Sequence, residues 1–260
     1  MKLFKLGIGV LSAAMMLSTA TPAFAASASV YVVNHYQGTG SFFPNQKFSY
    51  NKNGLMSKIT QTGSGDDYYN GKYTETYTYK KNKITKTVSK NAYGLRTVTP
   101  IYKGGKLKTL KWTGKGFDNS KGTVKYTYSG NVISKAYTSY TDSQVKQSYS
   151  TEYTYENGLL IKEGETSYNY DSKGYLSYRN PVYIGDTSDA ITLRNTYNSK
   201  GLLKATYIKS FENNNVTPSK KPILKVTYKK IKVSKSMVKK IKAQQKWILR
   251  NIRDDSIYNI

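Results

Sequence analysis

The residues able to do chemistry are few. There is one histidine, His35, and no cysteine, so neither a zinc centre nor thiol chemistry is expected. A Ser/His/Asp system needs its histidine within reach of a nucleophile and an acid. Nothing around His35 marks a nucleophile elbow, and its alternating surroundings read as a strand with a structural imidazole. Paired carboxylates, the groups that glycosidases use, occur as Glu163 with Glu165, as Asp66-Asp67 and as Asp186 with Asp189. Glu163 and Glu165 are two apart in a strand-like pattern, which would put them on one face. Each pair stands in a chain with 15 acids against 41 Lys and Arg, so charge balancing is the simpler role. Ser64, between Gly63 and Gly65, lacks the Lys-Ser/Thr ending of a phosphate loop. Asp66-Asp67 alone supplies too few ligands for calcium. The expectation is a protein without catalytic residues, metal or cofactor.

The remaining chemical feature is aromatic. Twenty-six tyrosines interleave with lysine and threonine. Such rows can stack on sugar rings or bases, and the same alternation is what cross-strand packing in a sheet requires. Packing is the reading for tyrosines in strand patterns. Tyr68 and Tyr69, in a polar stretch, are better placed for contact with a ligand.

The elements that carry these tyrosines repeat. An alternating segment ends in Tyr, a polar turn with Gly or Asn follows, and a short aliphatic segment comes next. The clearest copies are Phe48–Ile59, Tyr153–Ile161, Tyr168–Leu176 and Tyr197–Leu203, with weaker ones at Tyr79, Tyr102, Tyr128 and Tyr228. The anchoring tyrosines are thus 50, 79, 102, 128, 155, 170, 197 and 228. Tyr, Thr, Val and Ile suit a pleated, half-buried surface. Period-two alternation, as in Val124-Lys-Tyr126-Thr-Tyr128, puts tyrosines on one face and Lys or Thr on the other. Asn-Gly, Gly-Gly and Lys-Gly provide the positive-φ positions of hairpin turns. Asn51 and Asp171 can fold their side chains back onto the turn backbone. The turn after Tyr228 is expected at Lys229-Lys230. Longer polar stretches, among them Gln61–Lys72, Thr113–Gly122, Ser139–Ser150, Asn180–Ala190 and Ser210–Lys221, are expected as loops.

Eight such units and an opening strand near Val30–His35 give about 15 to 17 strands. Open sheets of more than ~10 strands curl or split. The expected fold is all-β, a long antiparallel meander of hairpin repeats, strongly curved or a half-barrel, with one C-terminal amphipathic helix. The Tyr-x-x-x-Gly-Leu periodicity over residues 48–230 resembles the YD/RHS-type repeats of secreted and cell-surface bacterial proteins. Tyr170-Asp171 shows the literal pair, with Tyr50-Asn51, Tyr155-Glu156 and Tyr197-Asn198 in other copies. The resemblance implies a β-hairpin array at a cell surface and implies no activity.

Both ends of the chain differ from the middle. Lys2 and Lys5, the apolar run Leu6–Met16 and Ala23-Phe24-Ala25 have the form of a secretory signal cleaved after Ala25. Ser18, Thr19, Thr21 and Pro22 interrupt the run before the ~20 apolar residues of a membrane helix. At the other end, Met237, Ile241, Ile248 and Ile252 share a helical face with Val238 and Leu249 beside them, opposite Lys239, Lys246, Arg250 and Arg253. An amphipathic helix is expected over about 236–252, with Ser234 or Ser236 as its cap. Gln244 and Gln245 interrupt the apolar stripe, and Trp247 points off its centre. The organisation is therefore a signal peptide at 1–25, a hairpin-repeat domain at 26–233 and a basic helix and tail at 234–260, with the helix docked on the sheet.

Charge sets the class of partner. Without the two signal lysines, 39 Lys and Arg oppose 15 acids, a net +24. Residues 218–253 hold 13 Lys and Arg. Such a field favours anionic partners, while lysines on a sheet also discourage edge-to-edge aggregation. The expectation is a non-enzymatic, monomeric exported protein, extracellular or wall-associated, that binds anionic wall polymer or acidic glycan. Lys220, Lys221, Lys225, Lys229, Lys230, Lys232, Lys239, Lys246, Arg250 and Arg253 are its binding residues. An anionic lipid surface or nucleic acid offers the same charge. The alternative is a carrier or inhibitor module holding a small apolar or lipid ligand in the curved sheet under the helix, and a wall hydrolase comes third.

Overall fold

The computed structural model describes residues 27–38, 45–62, 72–116, 119–142, 145–180, 190–211, 218–250 and 255–260. Within them sixteen strands run in order: β1 Ser27–Gly38, β2 Asn45–Tyr50, β3 Met56–Thr62, β4 Lys72–Lys80, β5 Lys83–Lys90, β6 Gly94–Lys103, β7 Lys106–Gly116, β8 Lys121–Ser129, β9 Val132–Asp142, β10 Val145–Glu156, β11 Leu159–Glu163, β12 Thr166–Tyr170, β13 Leu176–Asn180, β14 Ile191–Tyr197, β15 Leu203–Phe211 and β16 Leu224–Ser234. Each pairs antiparallel with its sequence neighbours, and β1 pairs with β16. The sheet is a closed barrel, not the open or half-closed sheet expected from the sequence.

The reason for closure is repeated in every unit. Tyr50 faces Met56 while Ser49 faces Lys58, so Ser57 is an extra residue, a β-bulge. The same one-residue shift sits beside Tyr79, Tyr102, Tyr128, Tyr155, Tyr170 and Tyr197, where Ile84, Leu107, Ile133, Leu160, Leu176 and Leu203 are the facing residues. Between β16 and β1 it recurs once more, with Tyr228 facing Val33 and Asn34 as the extra residue. A bulge bends its strand and raises the local twist, and eight of them at one level turn the sheet back on itself. The N- and C-terminal strands thus make the eighth unit. Consequently the expected turn at Lys229-Lys230 does not form; these residues stay in β16 and pair with Val32 and Tyr31.

The bulge also shifts which side chains face inward. After the inward aliphatic residue the next inward position is three along: Met56 and Ile59, Leu107 and Leu110, Ile133 and Ala136 are buried pairs of this kind. The tyrosines close the ring by hydrogen bonding. Tyr50 Oη donates to the Val33 carbonyl at 2.6 Å, Tyr79 to Met56 at 2.7 Å, Tyr102 to Ile84 at 2.9 Å, Tyr128 to Leu107 at 2.6 Å, Tyr170 to Leu160 at 2.7 Å and Tyr228 to Leu203 at 2.8 Å. Each tyrosine therefore ties its own hairpin to the preceding one. Tyr197 differs. Its hydroxyl bonds Asp171 Oδ2, and the Leu176 carbonyl accepts from Asn195 Nδ2 instead.

Two turn designs cap the ring. Short turns place Lys81-Asn82, Gly104-Gly105 and Asn157-Gly158 at positive φ, as two-residue hairpin connections require. The longer turns begin with Asn51, Asp171 or Asn198, whose side-chain oxygen accepts two backbone N–H groups inside the turn. At the opposite end, the expected loops at 113–122 and 139–150 are largely strand, because β7 to β10 extend beyond their neighbours.

The C-terminal segment occupies the turn end of the barrel. A 3₁₀ turn, Lys235–Met237, leads into helix α1, Val238–Arg250, and a second 3₁₀ turn covers Asp255–Asn259. Neither expected serine caps the helix: Ser234 makes no side-chain capping bond, and its hydroxyl lies 2.9 Å from that of Ser236. Trp247, Ile248, Leu249, Ile257 and Tyr258 join one core cluster with residues from around the barrel wall. Met237 and Ile241 pack with Val30, Val32, Leu55 and Val233 in a second cluster, where β1 and β16 run past the tyrosine ring.

Gln244, Gln245 and Trp247 are the surprise of this segment, since all three are buried. Gln244 Oε1 accepts the Met56 N–H at 2.6 Å and its Nε2 donates to Tyr79 Oη at 3.1 Å. Gln245 does the same at Val33 (2.7 Å) and Tyr50 (3.2 Å). Asn259 repeats the pattern at Leu107 (3.0 Å) and Tyr128 (3.2 Å). The amides thus satisfy backbone groups at three of the bulges, which a buried polar atom needs.

Candidate functional site

The residues flagged for catalysis do not assemble. His35 is half-buried in β1, facing Thr227 and Lys47 across the sheet. Glu163 and Glu165 do not share a face, because the turn between β11 and β12 separates them. Glu163 points into the barrel and accepts from Tyr168 Oη at 3.1 Å, whereas Glu165 is exposed and pairs with Lys162 at 3.9 Å. Ser64, Asp66, Asp67, Tyr68, Tyr69, Asp186 and Asp189 lie outside the described residues. No group of three or more His, Cys, Asp or Glu among the described residues could hold a metal.

The cationic residues fall into separate regions. Lys220, Lys221 and Lys225 are exposed near the loop end; Lys230 and Lys232 are exposed beyond the tyrosine ring, with Lys239 and Lys246 on the open face of α1. Seven residues of one strand, roughly 23 Å, separate Lys225 from Lys232. Lys229 is half-buried, its Nζ 5.2 Å from the centre of the Tyr50 ring. Arg250 borders a small cavity with Leu249, Tyr175 and Leu203. Arg253 lies outside the described residues.

A larger basic surface lies outside the C-terminal segment. Lys72, Lys86, Lys111, Lys125, Lys135 and Lys162 are exposed on strands around the barrel. On β8 the alternation is plain: Tyr126 and Tyr128 turn to the core while Lys121, Lys125 and Thr127 face out. A membrane-spanning barrel has the reverse polarity, with an apolar outer band, and a lysine at mid-bilayer there costs roughly 2–4 kcal/mol. Among the described residues no helix is long and apolar enough to cross a membrane.

Inside, the tyrosine ring is kept protonated. Burial raises the hydroxyls of Tyr50, Tyr102, Tyr128 and Tyr228, and pushes Tyr79 up to about 12 against the opposing hydrogen bond from Gln244. A neutral tyrosine can donate to a carbonyl and an anion cannot, so these groups are structural donors.

Between the ring and the loop end the lumen opens into a chamber of about 520 Å³. Its wall comes from inward positions of β6 to β11, and Tyr258 also borders it. Trp112, Tyr140 and Tyr149 follow one another around it: Trp112 and Tyr140 have centroids 6.4 Å apart and planes at 39°, Tyr140 and Tyr149 6.4 Å and 81°. Arg96 lies 5.8 Å from the Trp112 ring centre, and Trp112 Nε1 donates to Ser120 Oγ at 3.3 Å. Gly122 makes room for the indole, since a Cβ there would stand 2.3 Å from Trp112 Cζ2. Asp142 and Glu163 contribute carboxylates to the same chamber. Tyr140 and Tyr149 lie in a stretch that reads as a loop, and Trp112 borders another, so only the inward alternation of these extended strands could have exposed them.

No protein-family model matches the sequence, and no curated protein matches it. Among solved structures the chain is similar to a porin-like protein from Bacteroides uniformis ATCC 8492, at 11% identity over 78% of this chain and 97% of that chain, with a TM-score of 0.45. It is also similar to a chain of the TcdB2-TccC3-Cdc42 structure, at 12% identity over 65% of this chain and 10% of that one, with a TM-score of 0.29.

Proposed function

We propose that this is a non-enzymatic exported protein whose barrel exterior binds anionic polymers of the cell envelope, such as teichoic acid or acidic glycan. The observation that carries this reading is the distribution of lysine over the outward face. With 41 Lys and Arg against 15 acids, most of these cations have no carboxylate to pair with. Exposed pairs such as Lys135–Glu152 at 3.4 Å contribute little in water. A cationic surface of this kind draws polyanions by long-range attraction and holds them by many weak contacts. The signal-like N-terminus supports an extracellular or wall-associated location. The recurrence of a bulged tyrosine hairpin supports kinship with YD/RHS-type repeats.

The carrier reading has less support. The cavity beside Leu249 and Arg250 has about 10 Å³, room for roughly one water, and the larger chamber carries Arg96, Asp142 and Glu163 among its aromatics.

The test is a pull-down of the purified protein on cell walls at increasing salt. Exposed charges are screened beyond ~8 Å at physiological ionic strength, so retention should fall steeply as salt rises. Retention that is the same at low and high salt would remove the electrostatic reading.

A further inference from the structure

The lumenal chamber has no part in polyanion binding on the outer face. We infer that it is a binding site for a neutral saccharide of one or two pyranose rings. Its volume of about 520 Å³ falls in the range of ligand pockets, ~300–1,000 Å³. A single wall brings together the rings of Trp112, Tyr140 and Tyr149, and the chamber adds carboxylate oxygens from Asp142 and Glu163.

The chemistry selects the ligand class. Asp142 and Glu163 bring carboxylate oxygens to the chamber of a chain that is otherwise strongly basic, and carboxylates disfavour the anions that the exterior attracts. Charged groups among the rings disfavour a lipid tail, which would strip them of water without compensation. The aromatic planes turn by 39° and 81° from one ring to the next, which makes a curved wall and not the parallel slot that a flat base would enter. A pyranose matches that wall. Its C–H faces are apolar and lie against aromatic rings, while its equatorial hydroxyls donate to carboxylates, each of which has several acceptor positions. Tyr149, 54% exposed, stands where an entering ring would meet it first. The Gly122 cleft that seats Trp112 fixes the opposite side of the wall.

The experiment is calorimetric titration of the full chain with cellobiose, chitobiose and maltose, at salt high enough to suppress the outer surface. At least one should bind saturably, and Tyr149→Ala should weaken it about tenfold, the scale of one lost stacking contact. Trp112→Ala should abolish it. Because Trp112 is packed and its variant can fail to fold, Tyr149→Ala with an unchanged melting temperature is the deciding variant. No binding of any of the three, or binding that Tyr149→Ala leaves unchanged, overturns the assignment. Wall retention at low salt should be the same in wild type and Tyr149→Ala, so failure here is distinguishable from failure of polyanion binding.

Discussion

Gln244 reaches the Met56 backbone across 188 residues of sequence, its Oε1 accepting the Met56 N–H at 2.6 Å. The Met56 carbonyl takes the Tyr79 hydroxyl at 2.7 Å, so both polar groups of one bulge residue are satisfied by side chains from other units. This three-residue arrangement is why the C-terminal helix belongs to the barrel and does not merely rest on it.

Replacing Gln244 or Gln245 with Leu should therefore destabilise the protein by about 1–3 kcal/mol each, since a buried N–H loses its partner. In a protein of this size that lowers Tm by roughly 2–4 °C per kcal/mol, readable by calorimetry. An unchanged Tm in both variants would mean the amides are not needed at Val33 and Met56.

Tyr102→Phe removes the donor to the Ile84 carbonyl and should cost about 1 kcal/mol, with the carbonyl left unpaired. Tyr149→Phe, at an exposed ring, should leave the denaturant midpoint where it is. Equal effects at the two positions would remove the special status of the ring.

The raised tyrosine hydroxyls set an alkaline limit. Tyr79 titrates near 10 when unfolded and near 12 when folded, so the folded state holds its proton over that interval. Its contribution is complete below pH 10 and is lost as pH rises towards 12, because there the unfolded chain binds fewer protons. Circular dichroism should show stability falling from about pH 10 upward. A flat profile to pH 12 would mean that these hydroxyls are not held neutral.

Deleting residues 235–260 removes Ile241, Ile248, Leu249, Ile257 and Tyr258 from the core. The truncated chain should lose its cooperative melting transition and bind a hydrophobic dye. If melting is untouched, the segment is peripheral.

Gly122→Ala drives a methyl group into the Trp112 ring, 2.3 Å away. Overpacking of this kind costs about 1–3 kcal/mol, and the displaced indole should change the tryptophan emission. If both stability and emission stay as in the wild type, the indole does not lie over Gly122.

The sequence alone determined the local structure. Alternation with period two is set by the pleat within each strand, and Asn51, Asp171 and the Asn-Gly and Gly-Gly pairs act on their own turns, so the hairpins and their tyrosines can be read along the chain. The spacing of three between Leu107 and Leu110, or Met56 and Ile59, was the trace of a bulge, but a register shift exists only between two strands. Only the tertiary structure decided that the eight bends sum to closure and that Tyr228 meets Val33, 195 residues away (228 − 33). The same holds for Gln244 and Gln245, which break the helix's apolar stripe in sequence and are buried because the barrel wall presents backbone groups that need them. Trp112, Tyr140 and Tyr149 become one wall for the same reason, since the pairing of β7 with β8, β8 with β9 and β9 with β10 brings them to one side of the lumen.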